Sequence, residues 1–393
     1  MYLAAFLLDF SVATAITAMP FYAFQHLQGG PAMSGALGAA QMAVYAAGCL
    51  ISAAFLAHTA TDLRYALAGV AIFAAPFALV PFIGTPVLCG LMASVPFIGL
   101  ALAWPAMQSW LGTEPDLERR ARHLTGFNTA TAFGFTFSPL LTGPMFDLDY
   151  RLPFFALLVL ALAVAALLTS LPRDCGPARP LPEGGEASGS DSPPLGLLYA
   201  LWGATFTASA LFASVRSVYP SRVDALVGEK TLTALGDWLP RWLAAAGPAT
   251  VFSWMAFALS LATVACFAVM GRTSRWHGRF SIILAGQAIA AAACAGLGGA
   301  QSLAAMLGCF ILVGANFGLC FFASLFYSLA EARKSHRRAA MNEGILGAGG
   351  FAGGIGAGYA AGHWGLAPTF QWMPVFVALA IAVQLLLLRL VRT

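Results

Sequence analysis

Along this chain apolar residues do not alternate with polar ones; they run on in long blocks. Each block is close to the roughly 20 residues that carry an α-helix across a bilayer core. Scanning for such blocks predicts twelve spans: 2–25, 33–57, 65–83, 86–111, 123–146 and 152–171, then 196–219, 249–271, 280–298, 302–330, 339–362 and 370–391. A membrane β-barrel would instead show segments of about 10 residues that alternate in polarity. The predicted class is therefore an all-α integral membrane protein with twelve transmembrane helices. The opening stretch MYLAAFLLDFSVATAITAMPF has no basic leader, and Asp9 interrupts its apolar run, so it reads as a retained first span rather than a cleaved signal.

The twelve spans divide evenly. Between the sixth and seventh lies PRDCGPARPLPEGGEASGSDSPP, rich in Pro, Gly and Ser and mixed in charge, the composition of a flexible linker. The expected organisation is an N-terminal six-helix bundle over 1–171, a linker over 172–195 and a C-terminal six-helix bundle over 196–393. The halves also overlay with a shift of 215 residues. Arg64 then falls on Arg279, Arg122 on Arg337, Asn128 on Glu343, Gly134 on Gly349 and Gly143 on Gly358. One offset that aligns several features predicts a duplicated, pseudo-symmetric unit.

Composition sharpens this picture. The chain has 393 residues, 60% hydrophobic and only 9% charged, where a soluble domain carries roughly a quarter charged. The apolar excess must face lipid. The net charge of +4 is scattered in short clusters, which argues against nucleic acid as a partner because that needs one concentrated basic face. Of the 20 Lys and Arg, 15 fall in the segments on the same side as the termini. The positive-inside rule then puts both termini in the cytoplasm, in a multi-pass protein of the plasma (inner) membrane. The seven cysteines form no CxxC pair and mostly sit inside apolar runs, so no metal site or disulfide framework is expected. The outer loop at 220–248 contains TLTALGDWLPRWLAAAG, which reads as an interfacial helix with Trp238 and Trp242 at headgroup depth.

Two loop sequences and two glycine-rich spans carry a family resemblance. GRTSRWHGRF, 271–280, keeps Gly271, Gly278 and Arg279 of the loop pattern G-x-x-x-D-R-x-G-R-R, with Arg275 where Asp is expected. LAHTATDLRY keeps Arg64, with Asp62 displaced. GFTFSPLLTG, 134–143, keeps Gly134, Pro139 and Gly143 of a fifth-span pattern associated with antiporters, with Ser138 and Thr142 in place of glycines. GGFAGGIGAG, 349–358, is similarly glycine-dense. In these respects the chain resembles the major facilitator superfamily of secondary transporters. ALAWPAMQSWL and SLFYSLAEARKSHRRAAMNEGILGAGG look like an uncharacterised bacterial branch of it. The resemblance implies two six-helix bundles about a central cavity lined by the first, fourth, seventh and tenth spans. The expected function is a secondary transporter working by alternating access, with proton coupling, export, and a monomer in the bilayer; aromatics with a few polar groups in the spans suit a small amphipathic organic solute. Uptake by a facilitator or symporter, and a non-transporting receptor or scaffold, are the alternatives. No cofactor and no enzyme activity are expected: the chain lacks a P-loop, HExxH and GxSxG.

Candidate chemistry rests on the few polar residues inside the spans, since a charge at the centre of a membrane helix costs about 2.5–3.5 kcal/mol on insertion scales. Asp9 reads either as a proton-binding carboxylate or as a structural one that bonds a neighbouring helix or snorkels. Glu343, which follows the basic cluster in RRAAMNEGIL, reads either as a cap for its own helix paired with Arg337 or Arg338, or as a cavity or gating carboxylate. Arg216 either snorkels to the interface, or attracts an anion or closes an outer gate. Thr14, Trp104, Gln108, Asn128, Trp202, Thr205, Asn316 and Tyr327 complete the predicted cavity set, with Trp104 and Gln108 one turn apart on one face. Thr17 and Tyr22 add further polar groups on the first span. Each of these uncharged residues also has an ordinary packing reading.

Overall fold

The computed structural model describes residues 1–55, 63–112, 117–171, 195–229, 246–329 and 335–390. The linker body at 172–194, the 56–62 loop with Asp62, and 230–245 with Trp238 and Trp242 lie outside the described residues. The helices are α1 (Tyr2–Gln25), α2 (Pro31–Phe55), α3 (Leu63–Leu79, extended by a 3-10 turn at Val80–Phe82), α4 (Pro86–Ser94), α5 (Pro96–Gly112), α6 (Leu117–Leu148) and α7 (Leu152–Thr169). The second half continues with α8 (Leu195–Val218), α9 (Pro220–Gly228), α10 (Pro248–Arg272), α11 (Phe280–Gly299), α12 (Leu303–Leu329), α13 (Ser335–Trp364), α14 (Leu366–Gln371) and α15 (Met373–Leu390). No strand occurs among the described residues.

Every predicted span is helical. The fourth is broken at Val95, just before Pro96, into α4 and α5, and the twelfth at Trp372 into α14 and α15. Both breaks lie one or two residues before a proline, Pro96 or Pro374, which has no N–H to donate to the preceding turn. The start of the outer loop forms α9, which the hydrophobic pattern alone does not mark. Ten of the spans are apolar and long enough to cross a membrane by composition; the two that fall short are α6 and α13. These are also the longest helices, with 32 and 30 residues.

The packing repeats in the two halves. α1 lies on α6 and α7, and α8 lies on α13 and α15. α3 packs on α5, and α11 on α12. α2 packs on α5, and α10 on α12. Moving α6 by the 215-residue offset lands on 332–363, against Ser335–Trp364 observed. The offset even reproduces a close approach. A Cβ on Gly134 would run into the Phe6 carbonyl oxygen of α1, and a Cβ on Gly349 would run into the Phe206 carbonyl oxygen of α8. The protein is thus two pseudo-symmetric six-helix bundles. They meet along two seams, α2 against α13 and α6 against α10.

An even number of crossings returns the chain to the side on which it begins. We call that the terminal side and its opposite the far side. The lipid-facing surface is apolar: Val159, Leu162, Leu379 and Leu386 are all exposed. The core is a continuous cluster including Phe21, Phe73, Phe252 and Phe310. With no water in the bilayer core, internal hydrogen bonding is compulsory for polar groups. Gln287 and Gln384 show this, exchanging amide bonds of 2.8 and 3.0 Å inside the C-terminal bundle.

Candidate functional site

The far end of the seams is densely joined. Gly35 on α2 nestles against Gly354 and Gly358 on α13; a Cβ there would meet the Gly354 carbonyl oxygen and sit 2.7 Å from the Gly358 Cα. Small residues at such crossings let helix backbones touch. The Ser34 hydroxyl donates to the Ser217 carbonyl at 2.5 Å, and the Gln25 amide donates to Asp224 at 3.0 Å. On the other seam, Asp147 at the end of α6 accepts the backbone N–H groups of Ala249 (3.2 Å) and Thr250 (2.8 Å). It therefore caps the start of α10 from the opposite bundle, where free N–H groups and the helix dipole favour a carboxylate. Just outside the membrane-spanning part of α1, His26 stacks on the Tyr150 ring, and burial lowers its imidazole from the ordinary value.

Toward the terminal side the α6–α10 seam runs to the Phe137–Phe257 ring pair, at 5.6 Å. Beyond it Asn128, Thr129 and Val269 are exposed. There the α2–α13 seam carries the polar contact: the Tyr45 hydroxyl of α2 donates to Glu343 of α13 at 3.4 Å. Asp9 on α1 lies within electrostatic range of the same hydroxyl, and near it stands Thr131 of α6, whose hydroxyl donates to the Asn128 carbonyl at 2.9 Å. Of the two carboxylates singled out in the sequence, Glu343 meets Tyr45 across the seam, and Asp9 lies within electrostatic range of it.

Glu343 lies eight residues inside α13, which begins at Ser335. That is about 12 Å along the axis, too far from the free N–H groups of the first turn for a cap. The capping reading fails because the helix starts about one turn earlier than the hydrophobic run, which carries Glu343 beyond the first-turn N–H groups. The Arg337 side chain lies outside the described residues. Arg216 does not snorkel. It is 3% exposed and its Nη2 donates to Thr17 on α1 at 3.1 Å.

The other predicted residues disperse. Thr14 joins Ser138 (2.8 Å) and Thr142 (3.3 Å) in a buried hydroxyl cluster between α1 and α6. Ser138 and Thr142, the two departures from the glycine signature, are thus used in that contact. Trp104 meets Phe127 edge-on, and the Gln108 side chain lies outside the described residues. Asn128, aligned with Glu343 in the repeat, is exposed. In the C-terminal bundle Trp202 donates to Ser328 at 3.0 Å and Thr205 to the Cys320 carbonyl at 3.1 Å, both tying α8 to α12. Asn316 is buried and accepts from the Cys320 thiol at 3.5 Å. Tyr327 serves the loop signature: its hydroxyl accepts the Gly278 N–H at 2.7 Å. Gly278 has φ +68°, which glycine adopts without strain. Gly271 lies at the end of α10 and Arg279 precedes α11, while Arg64 opens α3 at the matching place in the repeat. Tyr45, Thr131 and Phe135 were not picked out by sequence; a tyrosine or threonine within a long Ala- and Gly-rich span carries no spacing signal.

No protein-family model matches the sequence, and no curated protein does. Solved structures do match in shape. A bacterial homologue of the human lysosomal transporter Spinster, in an inward-facing and occupied conformation, superposes with TM-score 0.72 at 16% identity, covering 98% of this chain and 95% of that one. The nucleoside transporter NupG gives 0.72 at 12%, covering 99% and 98%. A proton-dependent oligopeptide transporter gives 0.70 at 15%, covering 100% and 97%. The fold is that of the major facilitator transporters. At these identities the likeness concerns the fold alone, and it spans the whole of each chain.

Proposed function

We propose that the protein is a secondary transporter that moves a small amphipathic organic solute by alternating access, driven by protons in the direction of export. The moving bodies are 1–171 and 196–393, joined by 172–195. It works as a monomer in the plasma (inner) membrane with both termini cytoplasmic. The observation that carries this reading is the hydrogen bond from Tyr45 of one bundle to Glu343 of the other at the terminal end of the seam, with Asp9 in electrostatic range. Carboxylates buried where two bodies must separate bind protons at a cost that depends on whether the seam is open. Protonation then biases one arrangement over the other. Asp9 is the coupling site and Glu343 the gating partner. The antiporter-type signature in α6 supports export.

The test is Asp9→Asn in proteoliposomes. Uptake driven by a pH gradient is lost, while solute counterflow without a gradient and thermal stability persist. A variant that keeps its dependence on the pH gradient rules Asp9 out as the coupling site. Wild-type counterflow with no response to any proton gradient points instead to a facilitator.

A further inference from the structure

We infer that the transported solute is an organic anion whose charged group is bound by Arg216, with its apolar body against Phe135 and Phe212. This rests on the transporter reading and names the substrate class for it. Arg216 is a guanidinium buried between the bundles rather than at their lipid face. It belongs to α8, yet among the described residues it donates to Thr17 on α1. Its carbon centre stands 4.8 Å from the Phe135 ring of α6 and 5.6 Å from the Phe212 ring of α8. Its Nε and Nη1 have no hydrogen-bond partner among the described residues. The hydroxyl and the two rings are all neutral.

A guanidinium offers five N–H donors in a planar fork that matches a carboxylate. Here most of that fork is unused among the described residues. Burying a charge with so few partners is costly, and cation–π attraction offsets only part of the cost. A bound oxyanion would fill the free donors and neutralise the charge at once. The surroundings set the rest of the ligand. Phe212 stacks on Phe317 of α12 with centroids 4.4 Å apart, so aromatic faces from α6, α8 and α12 lie beside the cation. These suit an apolar or aryl body attached to the anionic group. Asp9 and Thr17 share α1 and are eight residues apart, so the carboxylate and guanidinium ends of the site are separated by about 12 Å.

The test is calorimetric titration of the full chain in phosphatidylcholine nanodiscs, where no anionic headgroup competes. The probes are phenylbutyrate and its neutral amide. The expected result is a Kd about tenfold lower for the carboxylate, the worth of one charged hydrogen bond. Arg216→Gln should remove that preference, and Arg216→Lys should keep part of it. Equal binding of carboxylate and amide by wild type, including no binding of either, overturns the inference. So does a preference retained in Arg216→Gln, which would leave Arg216 as a far-side latch on Thr17. Counterflow separates this from the transport reading. Selective binding of phenylbutyrate without exchange would sink transport and leave the anion site standing. Equal exchange of both probes would do the reverse.

Discussion

The two ends of the interface between the bundles are built from different materials. At the far end, backbone meets backbone at Gly35, Gly354 and Gly358, and Asp147 of one bundle caps α10 of the other. At the terminal end the polar link is one long hydrogen bond between Tyr45 and Glu343, with Asp9 nearby. Close packing and capping depend on shape and fixed dipoles. A phenol–carboxylate contact depends on a proton. The far end therefore holds the present arrangement in place, and the terminal end is where a chemical signal can change it.

Breaking the far end should have the largest effect. Gly35→Val places a branched side chain against backbone that cannot yield, and overpacking of this kind costs about 3 kcal/mol. Thermal unfolding should fall accordingly, and spin labels at the far ends of α2 and α13 should move apart. Gln287→Leu is the reference within one bundle. It removes both bonds between Gln287 and the buried Gln384 amide, which keeps its 3.3 Å bond to Thr207, at about 2 kcal/mol. It should lower stability without changing the label distances; a change there would mean that the far end is not the controlling contact. Asp147→Ala removes the cap on α10 at about 1 kcal/mol, and shifts the labels in the same sense as Gly35→Val. Tyr45→Phe should cost least, about 0.6 kcal/mol, the typical worth of a hydrogen bond between membrane helices. Its mark should be kinetic: exchange rates respond to pH less than in wild type, with the unfolding temperature almost unchanged. A large loss of stability in Tyr45→Phe would mean that the two ends are not different in kind.

Much of the fold was legible because lipid imposes a single length on every crossing. Runs of about 20 apolar residues announce helices whatever they pack against. α6 and α13 fall short of the composition of a membrane span over their full length, yet the apolar blocks 123–146 and 339–362 still marked them. The site was legible only in part. Charges inside apolar runs stand out, which is how Asp9, Glu343 and Arg216 were found. Uncharged residues carry no such mark: Trp202, Thr205 and Tyr327 went to packing and loop bracing, while Tyr45 and Thr131, chemically no different in sequence, reached the carboxylates.

The sequence by itself determined that the chain crosses the membrane, how many times, in what duplicated pattern, and which ionisable groups are costly enough to need a reason. Only the tertiary structure decided what those groups face. Glu343 meets Tyr45 instead of its own helix end, and Arg216 meets Thr17 and two rings instead of the membrane surface. The reason is geometric. Apolar length is a property of one helix and is written along it, whereas the rotation of a helix about its axis is set by neighbours far away in the chain.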